Sequence, residues 1–448
     1  MRKINVEATD ENVLNSIRCD KLRRTDDVVD FIQILETIDY NAFIALDGAW
    51  GDGKTFLVRQ IEMTLGFHNK KFYNREITEE ERTAFSINKA LGEMELDNTY
   101  LPVYFNAWQY DDNTDPLMAL ILILVKSCQK YLVPKVNSKS LGSKITALLS
   151  AVSLSVKNIE VSLDTKSVYE AWSRDDILSS VKTMDEIREC VKEILNDIIA
   201  EKAQKLVIFV DELDRCRPSF AIEMLERIKH YYDDERIIFV ASVNKAQLVN
   251  TISKYYGNGF NASGYLNKFF DINIQLPPVN PAAYFSELGI TVNSNNRMIE
   301  IANELQKSYT LSLRDSAIYY QKIDAIIEKC EKEIGDSYVA LTMSVLIPII
   351  CILDIVNVID KEAVIDGKGF AILKEIIDKN VSLQDAMLCF AGKFDRTNEN
   401  IETGLCFFEG IYNYAFGDGR EEERRMWKID IRKDFKKKCL CICNVVSN

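Results

Sequence analysis

Short apolar runs alternate with amphipathic stretches through the first 278 residues of the chain. Five of these runs are rich in Val, Ile and Phe and have the length of buried strands, and helical patterns separate them. They lie in the segments NAFIALDG, TYLPVYFNAW, KLVIFVDELD, ERIIFVASVN and FFDINIQLPP. This alternation predicts an α/β fold, in which a parallel sheet carries helices on both faces.

The stretches between the predicted strands favour helices of several kinds. Residues 21–38 predict a helix that Thr25 or Asp26 caps, and 183–204 has a clear amphipathic pattern. The apolar run LMALILILVKSCQKYL predicts another helix, with Asp115 as its cap and Pro116 at its first position. Residues 69–98 are polar and charged and predict surface structure, and 134–182 has the character of an insert.

Strand signals fade after Pro277 and Pro278, and residues 279–448 read mostly as helix. We therefore expect one domain over 1–278 and a mostly helical lid or effector domain over 279–448. Residues 338–353 carry no charge but include Pro348. A membrane span needs about 20 apolar residues. This shorter segment therefore predicts a buried core helix, and we do not expect membrane contact.

The amino-acid composition limits the cellular location and the classes of binding partner that we expect. The formal net charge is −13, so the charge gives no indication of a nucleic-acid partner, although a local basic groove would still allow one. The 11 cysteines include no CxxC pair and the chain starts without a signal-peptide pattern, so we expect a reducing, cytoplasmic setting. The tail FKKKCLCICNVVSN leaves peripheral membrane association open beside a packed or frayed terminus.

The stretch GAWGDGKT after the first predicted strand matches the phosphate-binding pattern GxxxxGK followed by Ser or Thr. A phosphate chain needs backbone N–H groups that point inward, and glycines such as Gly48 and Gly53 permit that approach. The helix that follows adds its N-terminal dipole. In this pattern Lys54 reaches the β- and γ-phosphates and Thr55 offers its hydroxyl to Mg²⁺.

A second motif supplies the carboxylates that such a site needs. In LVIFVDELDR an apolar strand ends in Asp211, the predicted Mg²⁺ partner, and Glu212, which can polarise an attacking water. Asp214 is an alternative catalytic acid. Strands often end in turns that contain Asp, but the pairing with the first motif favours a functional site. Asn244 ends the fourth strand, where it could contact the γ-phosphate or merely cap a helix.

Several stretches together resemble the KAP family of P-loop NTPases. They are FIALDGAWGDGKTFLV, VYFNAWQYDD, KLVIFVDELDRCRPSFAIEMLERIKHYY, FVASVNKAQL, GYLNKFFDINIQLPP and LSLRDSAIYYQKI. The resemblance implies an additional-strand ATPase core related to AAA+ and STAND proteins, with one strand between the P-loop strand and the Walker B strand. It implies that Lys54 and Thr55 form the Walker A pair and that Asp211 and Glu212 are the Walker B acid and the catalytic acid.

The resemblance also assigns more distant residues. Asn244 falls at a sensor position, Arg314 at a second sensor on the helical lid, and Lys268 at a position that contacts a neighbour's nucleotide. It further implies ATP and Mg²⁺ as cofactors, a homo-oligomer or a partner protein, and a link to defence against phages or plasmids. The predicted nucleotide-binding residues are Gly48, Trp50, Gly51, Asp52, Gly53, Lys54, Thr55 and Phe56.

Three functions compete on this basis. The first is a Mg²⁺-dependent ATPase that works as a switch or motor, with Lys54, Asp211, Glu212, Asn244 and Arg314 in its catalytic set. The second is a scaffold or sensor that binds ATP, turns it over slowly and recruits a partner through its helical domain. The third, a small-molecule kinase, shares the P-loop but fits the acidic pair and the lid arginine less well.

Overall fold

The computed structural model describes residues 7–20, 22–69, 77–111, 203–257, 259–279, 296–333, 337–394 and 400–417, with single positions elsewhere. The chain divides into two compact units, and the division falls between Pro278 and Val279. The insert expected over 134–182, the Asp115 cap and the three cysteines of the tail lie outside the described residues. Of the helix expected over 183–204, Lys192 and Asn196 are described and helical, whereas Ala203 and Gln204 are described and lie outside any helix, directly before β3.

A five-stranded parallel sheet forms the centre of the first unit, in the order β2-β3-β4-β1-β5. The strands are β1 (Ala42–Asp47), β2 (Tyr100–Asn106), β3 (Lys205–Asp211), β4 (Ile237–Val243) and β5 (Ile272–Gln275). All five predicted strands and their parallel arrangement are confirmed. Strand β4 lies between β1 and β3, so one strand separates the P-loop strand from the strand that ends in Asp211.

Helices surround this sheet. In the first unit they are α1 (Asp10–Cys19), α2 (Thr25–Glu36), α3 (Lys54–His68), α4 (Glu79–Ile87), α5 (Lys89–Gly92), α6 (Pro218–Tyr231), α7 (Lys245–Tyr256) and α8 (Ala262–Leu266). The described positions between 116 and 127 are helical too. Residues 69–98 contain α4 and α5 as well as exposed chain. A capping box between Thr78 and Glu81 starts α4 and is the physical reason for this helix.

Two hydrophobic cores lie on opposite faces of the sheet. Along β1, Phe43 and Ala45 belong to one core, whereas Ile44 and Leu46 belong to the other. The first core also contains the apolar side of α6 and α7, and the second contains the apolar sides of α2 and α3. Strands that are buried on both faces must be apolar at every position, which explains their unbroken hydrophobic runs.

All regular secondary structure in the described part of the second unit is helical. Its helices are α9 (Arg297–Ser308), α10 (Leu313–Glu333), α11 (Ser337–Val356), α12 (Val358–Ile365), α13 (Phe370–Asp378), α14 (Val381–Phe394) and α15 (Ile401–Phe416). Every residue of α11 from Leu341 to Leu353 is buried, so the prediction of a buried core helix is confirmed. Among the described residues, no helix has the length and apolar character that a membrane crossing requires.

Candidate functional site

The predicted site residues of the two motifs meet at one edge of the sheet. The loop that begins at Gly48 follows β1, helix α3 begins at Lys54, and Asp211 is the last residue of β3. Parallel strands place their carboxyl ends at the same edge, where α/β proteins bind their ligands. Lys54 and Asp211 therefore lie on the same side of the molecule.

Glycines in the loop satisfy two different backbone requirements. Gly51 and Gly53 have φ angles of 88° and 92°, a region that side chains disfavour. Gly48 has an ordinary φ, but a Cβ built there would lie 3.0 Å from the Cβ of Leu276. The glycines thus allow the loop to turn tightly against the end of β5 and leave its backbone open to a ligand.

Lys54 is the cation of this loop, and its side chain is only 8% exposed. Its Nζ donates to the carbonyl oxygens of Gly48 at 2.7 Å and of Ala49 at 3.0 Å. Burial lowers the pKa of Lys54, and nearby carboxylates oppose that effect. Those carboxylates are Asp214, Asp211, Asp52 and Asp47, in decreasing order of effect. The ammonium folds back on its own loop, where it can turn outward to an anion.

Asp211 connects the two motifs directly. Its carboxyl group is 2% exposed, and its Oδ2 accepts hydrogen bonds from Thr55 Oγ1 at 2.7 Å and from the Tyr104 hydroxyl at 2.9 Å. Its Oδ1 accepts from the backbone N–H of Glu212 at 2.9 Å. One carboxylate oxygen and one threonine hydroxyl thus stand side by side.

This donor set suits Mg²⁺ bound together with phosphates. Within the described part of the chain, no three His, Cys, Asp or Glu side chains form a cluster that could hold a metal alone. Mg²⁺ generally uses one or two protein oxygens and completes its shell with water and substrate phosphates. Thr55 and Asp211 meet that requirement, so the residues present fit the ion.

Glu212 stands next to Asp211 in an unusual conformation. Its φ of 60° is in the left-handed region although it is not glycine. Its Oε1 lies 3.0 Å from Arg215 Nη1, and Asn106 Nδ2 donates to its Oε2 at 3.4 Å. Burial raises the pKa of Glu212, with Arg215 opposing the shift. The carboxylate is therefore in a protected position but engaged with two neighbours.

Other predicted residues have different surroundings. Asn244 accepts a hydrogen bond from the Gln247 backbone N–H at 3.2 Å and caps α7, so the capping contact is present and the sensor role stays a prediction. Phe56 is half-buried in the first turn of α3. Arg314 belongs to the second unit, where its exposed side chain lies in the first turn of α10. Lys268 is exposed beyond α8.

Two residues near the site escaped the sequence reasoning. Tyr104 lies on β2, and neither its spacing nor its type distinguishes it from a core aromatic residue. Arg24 is 1% exposed, and its guanidinium donates to the carbonyl oxygens of Pro277 at 2.7 Å and of Asp52 at 3.5 Å. A basic residue before a helix reads as solvent-exposed, so no local signal could have found it.

Comparison with known proteins identifies the domain. The model of the KAP family P-loop domain matches residues 29–315, which is more than half of the chain. The chain belongs to the KAP family. The matched range includes the P-loop and the strand that ends in Asp211. A KAP P-loop domain implies nucleotide binding and points to nucleotide hydrolysis.

A curated relative adds little to this picture. An uncharacterized protein of Methanocaldococcus jannaschii is 39% identical to this KAP protein over 51 residues. Those residues are 11% of the present chain and 26% of the relative, so the two share only about a quarter of that relative's length.

Proposed function

We propose that the protein is a Mg²⁺-dependent ATPase that acts as a nucleotide-driven switch or motor. One observation carries the proposal. Thr55 Oγ1 and Asp211 Oδ2, 156 positions apart in sequence, lie 2.7 Å from each other beside the loop that holds Lys54. That pairing of a P-loop hydroxyl with a carboxylate at a strand end is what a Mg²⁺–triphosphate requires.

The proposed reaction assigns a task to each of these groups. Loop N–H groups and the N-terminus of α3 hold the phosphates, and Lys54 turns from its own loop toward the β- and γ-phosphates. Thr55 and Asp211 would hold Mg²⁺, and the ion would supply positive charge to the phosphates. Glu212 orients the attacking water after its carboxylate leaves Arg215 or Asn106.

The preference for ATP, and the roles beyond the core, rest on the family. Adenine recognition, Asn244 and Arg314 as sensors, and a 279–448 domain that moves with nucleotide state are parts of the proposal. So are a cytoplasmic location and a homo-oligomer or partner protein. Native mass spectrometry of co-purified material with ATP would report both assembly and partner. If the protein remains a monomer without a bound partner in the presence of ATP, the proposed oligomer or partner is wrong.

A role in defence against phages or plasmids belongs to the proposal as well, on the strength of the family resemblance alone. A host that expresses the wild-type protein should form fewer plaques or retain less plasmid than a host that expresses the Lys54→Ala protein. Equal plaque counts and equal plasmid retention across a broad panel would remove this role and leave the ATPase proposal intact.

Turnover measurements test the proposal. Lys54→Ala should reduce the ATPase rate by about 100-fold or more, because it removes the cation that faces the developing phosphate charge. Lys254→Ala, an exposed lysine of α7, is the matched control and should leave the rate unchanged. Glu212→Gln should bind ATP and fail to release it as ADP. A wild-type rate that does not exceed the Lys54→Ala rate would contradict the proposal.

A second function has one observation in its favour. Glu212 is paired with Arg215 at 3.0 Å and accepts from Asn106, so the proposed catalytic acid is engaged in this state. A scaffold or sensor that binds ATP and turns it over slowly would show that arrangement permanently. The two functions differ in the Glu212→Gln protein, since a switch or motor should then accumulate bound ATP and a slow binder should behave like the wild type.

A further inference from the structure

A hydrogen bond between two side chains joins the loops on the two sides of the candidate site. The indole N–H of Trp50 donates to the carboxylate of Asp214, which lies 164 positions later in the sequence. Trp50 belongs to the loop after β1, and Asp214 lies in the short 3₁₀ turn after β3. Because β4 separates these strands, the bond crosses the carboxyl end of β4 at the edge where the site lies.

The two partners differ sharply in exposure. Asp214 is 7% exposed, whereas Trp50 is 46% exposed. Core packing does not account for a large aromatic side chain that is half in water, in a loop where phosphate binding asks for glycines. A hydrogen bond to a charged acceptor is worth more than one between neutral groups, so the contact gives Trp50 a specific position.

The charges around Lys54 relate the Trp50–Asp214 contact to the terminal phosphates of a bound nucleotide. Among the carboxylates that oppose the lowering of the Lys54 pKa, Asp214 has the largest effect. In P-loops this lysine reaches the β- and γ-phosphates. Asp214 is thus one of the negative charges near Lys54, and a terminal phosphate bound to Lys54 would be a further anion in the same region.

Building on the proposed nucleotide site, we propose that the Trp50–Asp214 bond is a latch beside the terminal-phosphate position, which a nucleoside triphosphate must open and a diphosphate need not. The pair then sets how strongly the site prefers triphosphates over diphosphates. Trp50 and Asp214 act as specificity-determining residues in this account, and neither contacts the reacting atoms.

Equilibrium binding of ADP and of a non-hydrolysable ATP analogue, both with Mg²⁺, tests the latch. Trp50→Phe keeps a ring but loses the N–H, so the ratio of triphosphate to diphosphate affinity should rise by about tenfold. Asp214→Asn also removes a like charge, and the ratio should rise by at least about tenfold. The double variant should fall short of the product of the two effects, since both changes weaken one bond.

Two matched controls accompany these variants. Trp108→Phe alters another exposed tryptophan at this edge, whose ring lies 5.7 Å from Arg215. Asp233→Asn removes one exposed carboxylate before the amino end of β4, on the opposite edge of the sheet. Both should keep the wild-type ratio. A wild-type ratio in the Trp50→Phe protein, or effects that simply multiply in the double variant, would overturn the latch.

A measurement on the wild-type protein avoids dependence on the folding of variants. The sequence has four tryptophans, Trp50, Trp108, Trp172 and Trp427, so fluorotryptophan labelling gives four ¹⁹F signals. The Trp50 signal should shift with the triphosphate analogue and stay in place with ADP. The same shift with both ligands would overturn the latch while nucleotide binding stands. Binding of neither nucleotide would overturn the proposed function and the latch together.

Discussion

Among single residues, Asp211 receives the largest share of the contacts at the site. Its two oxygens accept from Thr55, Tyr104 and the Glu212 backbone, at distances between 2.7 and 2.9 Å. Such outer hydrogen bonds fix the orientation of a metal ligand and keep its lone pairs available in one direction. Tyr104 is therefore a positioning residue for the proposed Mg²⁺ site, although nothing in its sequence context announced it.

Tyr104→Phe tests that positioning role. The change removes one donor to Asp211 Oδ2 and leaves the ring over which the Arg59 guanidinium lies at 4.8 Å. The affinity for Mg²⁺, measured by titration in the presence of nucleotide, should fall by about tenfold. Tyr255→Phe, at an exposed position of α7, is the control. Equal Mg²⁺ affinities for the Tyr104→Phe and wild-type proteins would show that the hydroxyl does not position the carboxylate.

The stability of the folded protein should depend on pH through the carboxyl group of Glu212. Burial raises the pKa of this carboxyl above its usual 4.5, so its ionised form destabilises the folded state. Glu212→Gln should be the more stable protein at pH values above that raised pKa, and the difference should vanish below pH 4.5. Denaturant unfolding over a pH series measures this, with Glu223→Gln on the exposed side of α6 as control. A stability difference that grows toward low pH would have the wrong sign.

Among the elements of the fold, α2, the phosphate loop and the end of β5 are held together by Arg24. Its buried guanidinium bonds the Asp27 carboxylate at 2.8 Å as well as the carbonyl oxygens of Pro277 and Asp52. One side chain thus links the start of a helix, the loop and the last residues of the first unit. The partners lie up to 253 positions apart, which is why no local pattern reveals the arrangement.

Arg24→Ala should lower the free energy of unfolding by about 2 kcal/mol or more, because it removes the hydrogen bonds that a buried guanidinium makes to the half-buried Asp27 carboxylate and to two backbone carbonyl groups. Arg24→Lys should rescue little of this loss, since an ammonium cannot reproduce the fork of a guanidinium. The exposed Arg18→Ala change is the control and should cost less than about 0.5 kcal/mol. Denaturant unfolding measures all three, and a mild effect of Arg24→Ala would contradict this role.

The sequence predicted the features whose signal lies within a few consecutive residues, and it missed those that depend on contacts between distant segments. Strands β1 to β4 were predictable because burial on both faces makes most of their positions apolar, a signal within six or seven residues. Strand β5 is only four residues long and alternates half-buried isoleucines with exposed polar residues, so its signal was the alternation itself. Helix α4 had a local signal too, in Thr78 and Glu81, but its charged surface hides the small apolar side that Ala84 and Phe85 bury. The Trp50–Asp214 bond and the Arg24 contacts arise only when distant segments meet, so sequence patterns could not contain them.

For the molecule as a whole, the strand order carries the functional argument. With β4 between β1 and β3, the loop after β1 and the acids after β3 open onto one edge, as the family resemblance implied. The central claim is that this edge binds a Mg²⁺–nucleotide through residues 48–55 and Asp211. Everything proposed about switching, sensing and phosphate discrimination depends on that claim.

Binding of a non-hydrolysable ATP analogue to the whole protein, with Mg²⁺ present and after its removal by a chelator, tests the claim most directly. The wild-type protein should bind tightly with Mg²⁺ and more weakly without it. Asp211→Asn should bind with the same, weaker affinity under both conditions, because its contribution passes through the ion. The account is wrong if the wild type binds no nucleotide, or if Asp211→Asn keeps the full response to Mg²⁺.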